Sequence, residues 1–176
     1  MRTLVIHPHD RSTHFLKPIY ENIPDKTIVT GGLTSAEMER LILIHNRVIM
    51  LGHGSPSGLF GLGFKRTYVI SEREVKLLRN KECIFIWCHA NEFVNEHNLN
   101  GFHSGMFVSE VGEALMYGLN GDKRLVDESN DEFAYMLGSV INKPMIEMYE
   151  SVKKEYGWLA DRNEIAKYNH ERLMLV

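Results

Sequence analysis

Two side chains that could do chemistry together stand at the ends of two apolar runs. Val48-Ile49-Met50-Leu51-Gly52 delivers His53, followed by Gly54-Ser55, and Cys83-Ile84-Phe85-Ile86-Trp87 delivers Cys88, followed by His89. A thiol is mostly protonated at neutral pH and becomes a strong nucleophile when an adjacent base takes its proton, a task for which imidazole is suited. His53 and Cys88 are therefore read as a catalytic pair. Gly54, lacking a side chain, would let a substrate approach the backbone closely, and its amide with that of Cys88 would form an oxyanion hole. The plainer alternatives are a core cysteine and a turn. Cys83, at the other end of its run, is assigned that structural role.

Such a pair needs elements that hold its members side by side. Apolar runs of strand length that stop at functional residues are how an α/β sheet presents a site at its carboxyl edge. Parallel neighbours would bring the two ends within about 4.8 Å of each other, and residues 71–78 are long enough for the crossover that parallel pairing requires.

The remaining pattern supplies the other elements. Strands are expected over residues 2–6, 26–30, 47–51 and 83–87, and residues 54–70 read as a glycine-rich loop plus hairpin with strand-like residues at 66–70. Pro18 allows only a short or irregular first helix. Thr34-Ser35-Ala36-Glu37 and Ser71-Glu72-Arg73-Glu74 are capping boxes that open helices, and Ser129-Asn130-Asp131-Glu132 reads as a third. That third box would start a long amphipathic helix, kinked at Pro144 and ended through Gly157, with Phe133, Leu137, Val140, Met148, Val152 and Tyr156 on one face. This face reads as core, with contact to a second copy, a homo-oligomer, as the alternative. Residues 90–105 are polar and read as an exposed loop with at most a helical turn. Met106-Phe107-Val108 is either a short strand or a helix entry. The fold class expected is α/β, a mostly parallel sheet of four to six strands with helices on both faces, in one domain over residues 1–176.

Composition narrows the partners. The 176 residues carry a net charge of −3, with no basic run, so neither nucleic acid nor an anionic membrane is expected and small or peptidic partners are favoured, a peptide or protein substrate among them. The N-terminal apolar stretch is too short for a signal-peptide core and no run reaches the ~20 residues of a membrane span, which points to a cytoplasmic protein. Cys83 and Cys88 lie along one strand, out of disulfide reach, and both are expected as free thiols.

An apolar run, Gly52-His53-Gly54-Ser55, a glycine-rich hairpin, a helix, and a second apolar run ending in Cys88-His89 together resemble the caspase-like cysteine peptidases, the group of caspases, metacaspases, separase and gingipains. The 35 positions from His53 to Cys88 suit that group. The resemblance covers about residues 1 to 110 as an arrangement of elements and implies a three-layer sandwich. It further implies Cys88 as nucleophile, His53 as base and then acid, the Gly54 and Cys88 amides as oxyanion hole, and no cofactor. His89 matches the Cys-His pair of metacaspases. The chain departs from the pattern at Ile86, where metacaspases have an acidic residue and caspases a Gln, and at Ala90-Asn91, where small Ser-Gly residues are usual. Asp10 and Arg11, in the loop after the first strand, would bind a substrate side chain, with Ile86, His89 and Asn91 as further contacts. Asp10 favours a basic partner and Arg11 an acidic one. The part after Cys88 that completes sheet and groove in that group reads as short.

The same residues admit other chemistries. A caspase-like domain that only binds, as adaptor or sensor, is one alternative. A zinc hydrolase using His7, His9 and Asp10 is another, because His7-Pro8-His9-Asp10 faintly resembles the His-Pro-Asp-Asp motif of zinc-dependent sugar deacetylases. His14, His97 and His103 are the extra candidate ligands, and Cys88, His89 and His103 a weaker set. Ser55 lacks the strand-to-helix elbow of a serine hydrolase.

Overall fold

The computed structural model describes residues 1–61 and 67–176. Within them the chain forms a six-stranded sheet of β1 (Thr3–Ile6), β2 (Lys26–Val29), β3 (Arg47–Leu51), β7 (Glu82–Ile86), β8 (Phe102–Ser104) and β9 (Leu173–Leu175), in the order β2-β1-β3-β7-β8-β9. Every neighbouring pair is parallel except β8 with β9. A smaller antiparallel sheet, β4 (Gly54–Ser55), β5 (Gly58–Phe60) and β6 (Tyr68–Ile70), follows β3. The strand-like Arg66 and the loop residues Leu62, Gly63 and Phe64 lie outside the described residues.

Strands buried on both faces alternate their side chains between two cores. Leu4, Ile6, Val48, Met50, Cys83 and Phe85 pack with α2 (Ser35–Ile44), α3 (Val75–Leu78) and α4 (Ala90–Glu96). Val5, Ile49, Leu51, Ile84 and Ile86 face the other way, onto α1 (Pro18–Glu21), α6 (Lys123–Val140), α7 (Met145–Ala160) and α8 (Glu164–Glu171). The expected α/β fold with helices on both faces is what the chain forms. The Thr34 and Ser71 boxes are both closed, and the second opens a 3-10 turn ahead of α3.

Several expectations differ from the structure. Residues 90–105 are no exposed loop: they contain α4 and β8, because Ala90, Phe93, Val94, Leu99 and Phe102 bury an apolar stripe that the intervening Asn and His residues mask in the sequence. Met106-Phe107-Val108 forms no strand, and the helix beyond it is α5 (Val111–Met116). The third box does not start a helix. Helix α6 begins about two turns earlier, capped by Asp122, whose carboxylate accepts from the Arg124 amide, and Ser129 lies inside it with its hydroxyl 2.7 Å from Tyr156 Oη. Pro144 separates α6 from α7 rather than kinking one helix, since its missing N–H is harmless at a helix start, and α7 runs through Gly157 to Ala160. Finally, the part after Cys88 is not short: it supplies β8, α5 to α8 and β9, which completes the sheet.

Candidate active site

The register between β3 and β7 sets the site. Leu51 pairs with Ile86, so His53 and Cys88 each lie two residues beyond the last pair of adjacent parallel strands. The two exits are tied together: the Gly52 amide donates to Ile86 O at 3.0 Å, and Trp87 Nε1 donates to Ser55 O at 3.1 Å. A Cβ on Gly54 would collide with Trp87 Cδ1 and stand 2.6 Å from Gly58 O. Glycine is therefore required here by packing against the indole. Phe60 N donates to His53 O at 2.9 Å, and the alternation of an antiparallel ladder then turns the next residue's amide, that of Gly54, away from β5.

After β7 the chain makes a tight turn into α4. Ala90 N donates to Trp87 O at 3.2 Å, and His89 holds a left-handed backbone, φ 66°, which a residue with a Cβ adopts at a cost of about 1 kcal/mol. Cys88 sits at the bend, partly exposed. The His89 ring points to Glu92, Nδ1 to Oε1 2.9 Å.

The thiol of Cys88 donates to Phe107 O at 3.5 Å. Burial pushes it up to about 12, and the carboxylates of Glu113 and Glu110 act in the same direction. Cys83, donating to Leu78 O at 3.6 Å, is also pushed by burial to about 12. What separates the two cysteines is position: Cys83 is 1 % exposed in the core, whereas Cys88 opens onto a cleft.

That cleft has a volume of about 780 Å³ and is lined by His53, Gly54, Cys88 and His89 together with Asp10 and Arg11. Six of the residues singled out in the sequence thus meet in one place. Ile86 and Asn91 do not line it. Ile86 is 2 % exposed and lines a smaller crevice with His53 and Cys88, and Asn91 sits in the first turn of α4 beside Gly105.

No hydrogen bond joins His53 to Cys88 among the described residues. His53 Nε2 instead lies 2.6 Å from Ser12 Oγ. Ser12 donates to Asp10 Oδ1 twice, from its hydroxyl at 2.8 Å and its amide at 2.9 Å. These bonds, the hydroxyl first, hold the Asp10 carboxyl below its ordinary value.

Ser12, Phe107, Glu110 and Glu113 escaped the sequence reading. Ser12 shares the strand-exit loop of Asp10, but its part in the site shows only in the contact with His53 across 41 positions. The glutamates had a weak signal: Glu110 and Glu113 cap α5 reciprocally, and that box places their carboxylates at the cleft wall.

The His-Pro-His segment is arranged differently from a metal centre. His7 is buried, with Nδ1 3.0 Å from Tyr20 Oη and Nε2 3.1 Å from Thr13 Oγ1, so both ring nitrogens are engaged, and burial lowers it to about 4. His9 is exposed, its ring tilted against that of His14 with the centroids 5.2 Å apart. Among the described residues no group of three His, Cys, Asp or Glu side chains could hold a metal ion, and no helix is long and apolar enough to cross a membrane.

No family model, no curated protein and no solved structure matches this chain.

Proposed function

We propose that the protein is a cysteine-dependent hydrolase of peptide bonds, with Cys88 as nucleophile and His53 as its proton acceptor. The observation that carries this reading is the Leu51–Ile86 pairing, which brings the imidazole and the thiol to one cleft from adjacent strand ends. The resemblance of Gly52-His53-Gly54-Ser55 and Cys88-His89 to the caspase-like peptidases supports it, as does the sharp, left-handed turn that lifts Cys88 out of the sheet.

In this reading the Cys88 proton passes to His53 as sulfur adds to the scissile carbonyl carbon. The carbonyl oxygen then takes negative charge, and the Gly54 and Cys88 amides are the donors placed to stabilise it. Collapse breaks the C–N bond, with the proton on His53 going to the leaving amine. A water then adds to the thioester carbon, giving one proton to His53; the C–S bond breaks, the carboxylic acid product leaves, and His53 returns the proton to the Cys88 sulfur. The 3.5 Å bond to Phe107 O and the raised thiol describe a resting form, so a substrate in the cleft has to draw the sulfur off that carbonyl.

The same two facts favour a second reading, a domain of this shape that binds peptides without cutting them. One experiment divides the two. The full chain is incubated with peptidyl acyloxymethyl ketones that vary in the residue next to the electrophile, and adducts are mapped by mass spectrometry in wild type, His53→Ala and Cys83→Ala. Labelling confined to Cys88, lost in His53→Ala and kept in Cys83→Ala, supports the hydrolase. Equal slow labelling of Cys83 and Cys88 sinks it, and saturable binding of the peptides without adducts establishes the binding domain.

A further inference from the structure

The contact between Ser12 and His53 determines which nitrogen of the imidazole is the base. Ser12 Oγ has one proton and lies between two partners, Asp10 Oδ1 at 2.8 Å and His53 Nε2 at 2.6 Å. An ionised carboxylate can only accept. The hydroxyl proton therefore goes to Asp10, and the second contact forms only if Nε2–H of His53 is the donor. The Ser12 amide, donating to the same carboxylate oxygen at 2.9 Å, locks the loop so that Oγ keeps this place.

We propose that Ser12, held by Asp10, is the positioning residue of His53: it accepts the Nε2–H, which leaves Nδ1 as the ring nitrogen that takes the proton of the nucleophile. The arrangement has the logic of an orienting group behind a catalytic imidazole, with a neutral hydroxyl relaying a carboxylate instead of the carboxylate touching the ring. It also gives Asp10 a task. Its Oδ1 is engaged by the Ser12 hydroxyl and amide, which ties the carboxylate to the side of the cleft where the base stands. Arg11, exposed beside it, is the second charged group of this loop on the cleft. The proposal rests on reading His53 as the proton acceptor of Cys88, and its test does not depend on turnover.

The chain is labelled with ¹⁵N-histidine, and long-range proton–nitrogen correlation spectra are recorded for wild type, Ser12→Ala, Ser12→Thr and Asp10→Asn, with His53→Gln to assign the signals. Neutral His53 in the wild type is expected to show a pyrrole-like Nε2, a pyridine-like Nδ1 and a slowly exchanging, downfield imidazole proton. Ser12→Ala should lose that proton signal and average the two nitrogens, and Ser12→Thr should restore both features. Asp10→Asn should weaken the signal, since its carboxamide binds the hydroxyl less strongly than a carboxylate. A wild-type His53 protonated on Nδ1, or spectra indifferent to Ser12→Ala, overturns the proposal. Labelling of Cys88 by the peptidyl electrophile is followed in parallel, and Ser12→Ala should slow it about tenfold. If the nitrogen signatures follow Ser12 while Cys88 never labels, the hydrolase reading falls and the role of Ser12 stands.

Discussion

Cys88 donates its thiol proton to the main-chain carbonyl of Phe107, 19 residues further along the chain, at 3.5 Å. The segment that caps Cys88 is thus also a wall of a small crevice that Phe107 lines together with His53 and Cys88.

A thiol held at about 12 is nearly all protonated at pH 7.5. Small uncharged alkylating reagents should therefore modify Cys88 of the free protein about a thousandfold more slowly than an unhindered cysteine, with the rate still rising above pH 10. Stopped-time alkylation with mass-spectrometric readout measures this. A plateau below pH 8 would show that the sulfur is ionised without substrate and that Phe107 is no cap. Both cysteines also bind their protons more tightly folded than unfolded, so their contribution to stability is complete below about pH 8.5 and drains as pH climbs toward 12.

His7 couples stability to acid in the opposite direction. Folded, it stays neutral down to about pH 4 because burial between Tyr20 and Thr13 opposes charge, whereas the unfolded chain takes up a proton near 6.5. The unfolded state binds more protons in this window, so stability is present above 6.5 and falls as pH drops through it, by about 3 kcal/mol at most. Denaturant unfolding at pH 7, 6, 5 and 4 should show this decline, and His7→Gln should flatten it after the loss common to all variants is subtracted. An identical slope in the variant would place the sensitivity elsewhere.

The glycines give a matched pair. Gly54→Ala forces a Cβ into Trp87 and the Gly58 carbonyl, and should cost about 1–3 kcal/mol with a change in tryptophan emission. Gly112, inside α5 with nothing within 4 Å of the place a methyl would take, should gain about 0.5–1 kcal/mol on replacement by Ala. Urea titrations decide both. A neutral Gly54→Ala would mean that the strand exits separate easily and that Trp87 does not staple them.

Much of this arrangement was legible in the sequence because it rests on local signals. Residues 47–51 and 83–87 are apolar nearly throughout, which marks strands buried on both faces, and Thr34 with Glu37 writes its own helix start. The failures occurred where a long-range contact overrides a local one. Ser129-Asn130-Asp131-Glu132 has the residues of a box, but Ser129 bonds Tyr156 from the next helix and Asn130 donates to Ser109 O, so both are buried inside a helix. β8 was hidden for a similar reason: Phe102-His103-Ser104 is too short to show a period and becomes a strand because β7 and β9 flank it. Within the site, Asp10, Arg11, His53, Gly54, Cys88 and His89 converge from three strand exits that the sequence already marked. Ser12 could be read only from the distance to His53, since nothing in the spelling of that loop says which hydroxyl reaches across 41 positions.

Asn169 extends this dependence on long-range contacts to the cap over Cys88. Its carboxamide pairs with both main-chain groups of Val108, accepting from the amide at 2.7 Å and donating to the carbonyl at 2.8 Å, as an adjacent strand would. Val108 and Asn169 are both fully buried, so removing the carboxamide strands two backbone groups away from water, at about 2–4 kcal/mol. Asn169→Ala should therefore lower the melting temperature by roughly 5–15 °C. Because Val108 adjoins the carbonyl that holds the Cys88 proton, the same variant should also alkylate faster at Cys88 than the wild type under folding conditions, with Cys83 unchanged as the internal reference. A stability loss with equal acceleration at both cysteines would indicate global opening. Acceleration confined to Cys88 makes Asn169, on a helix that lies outside the cleft, the residue that keeps the Phe107 cap closed.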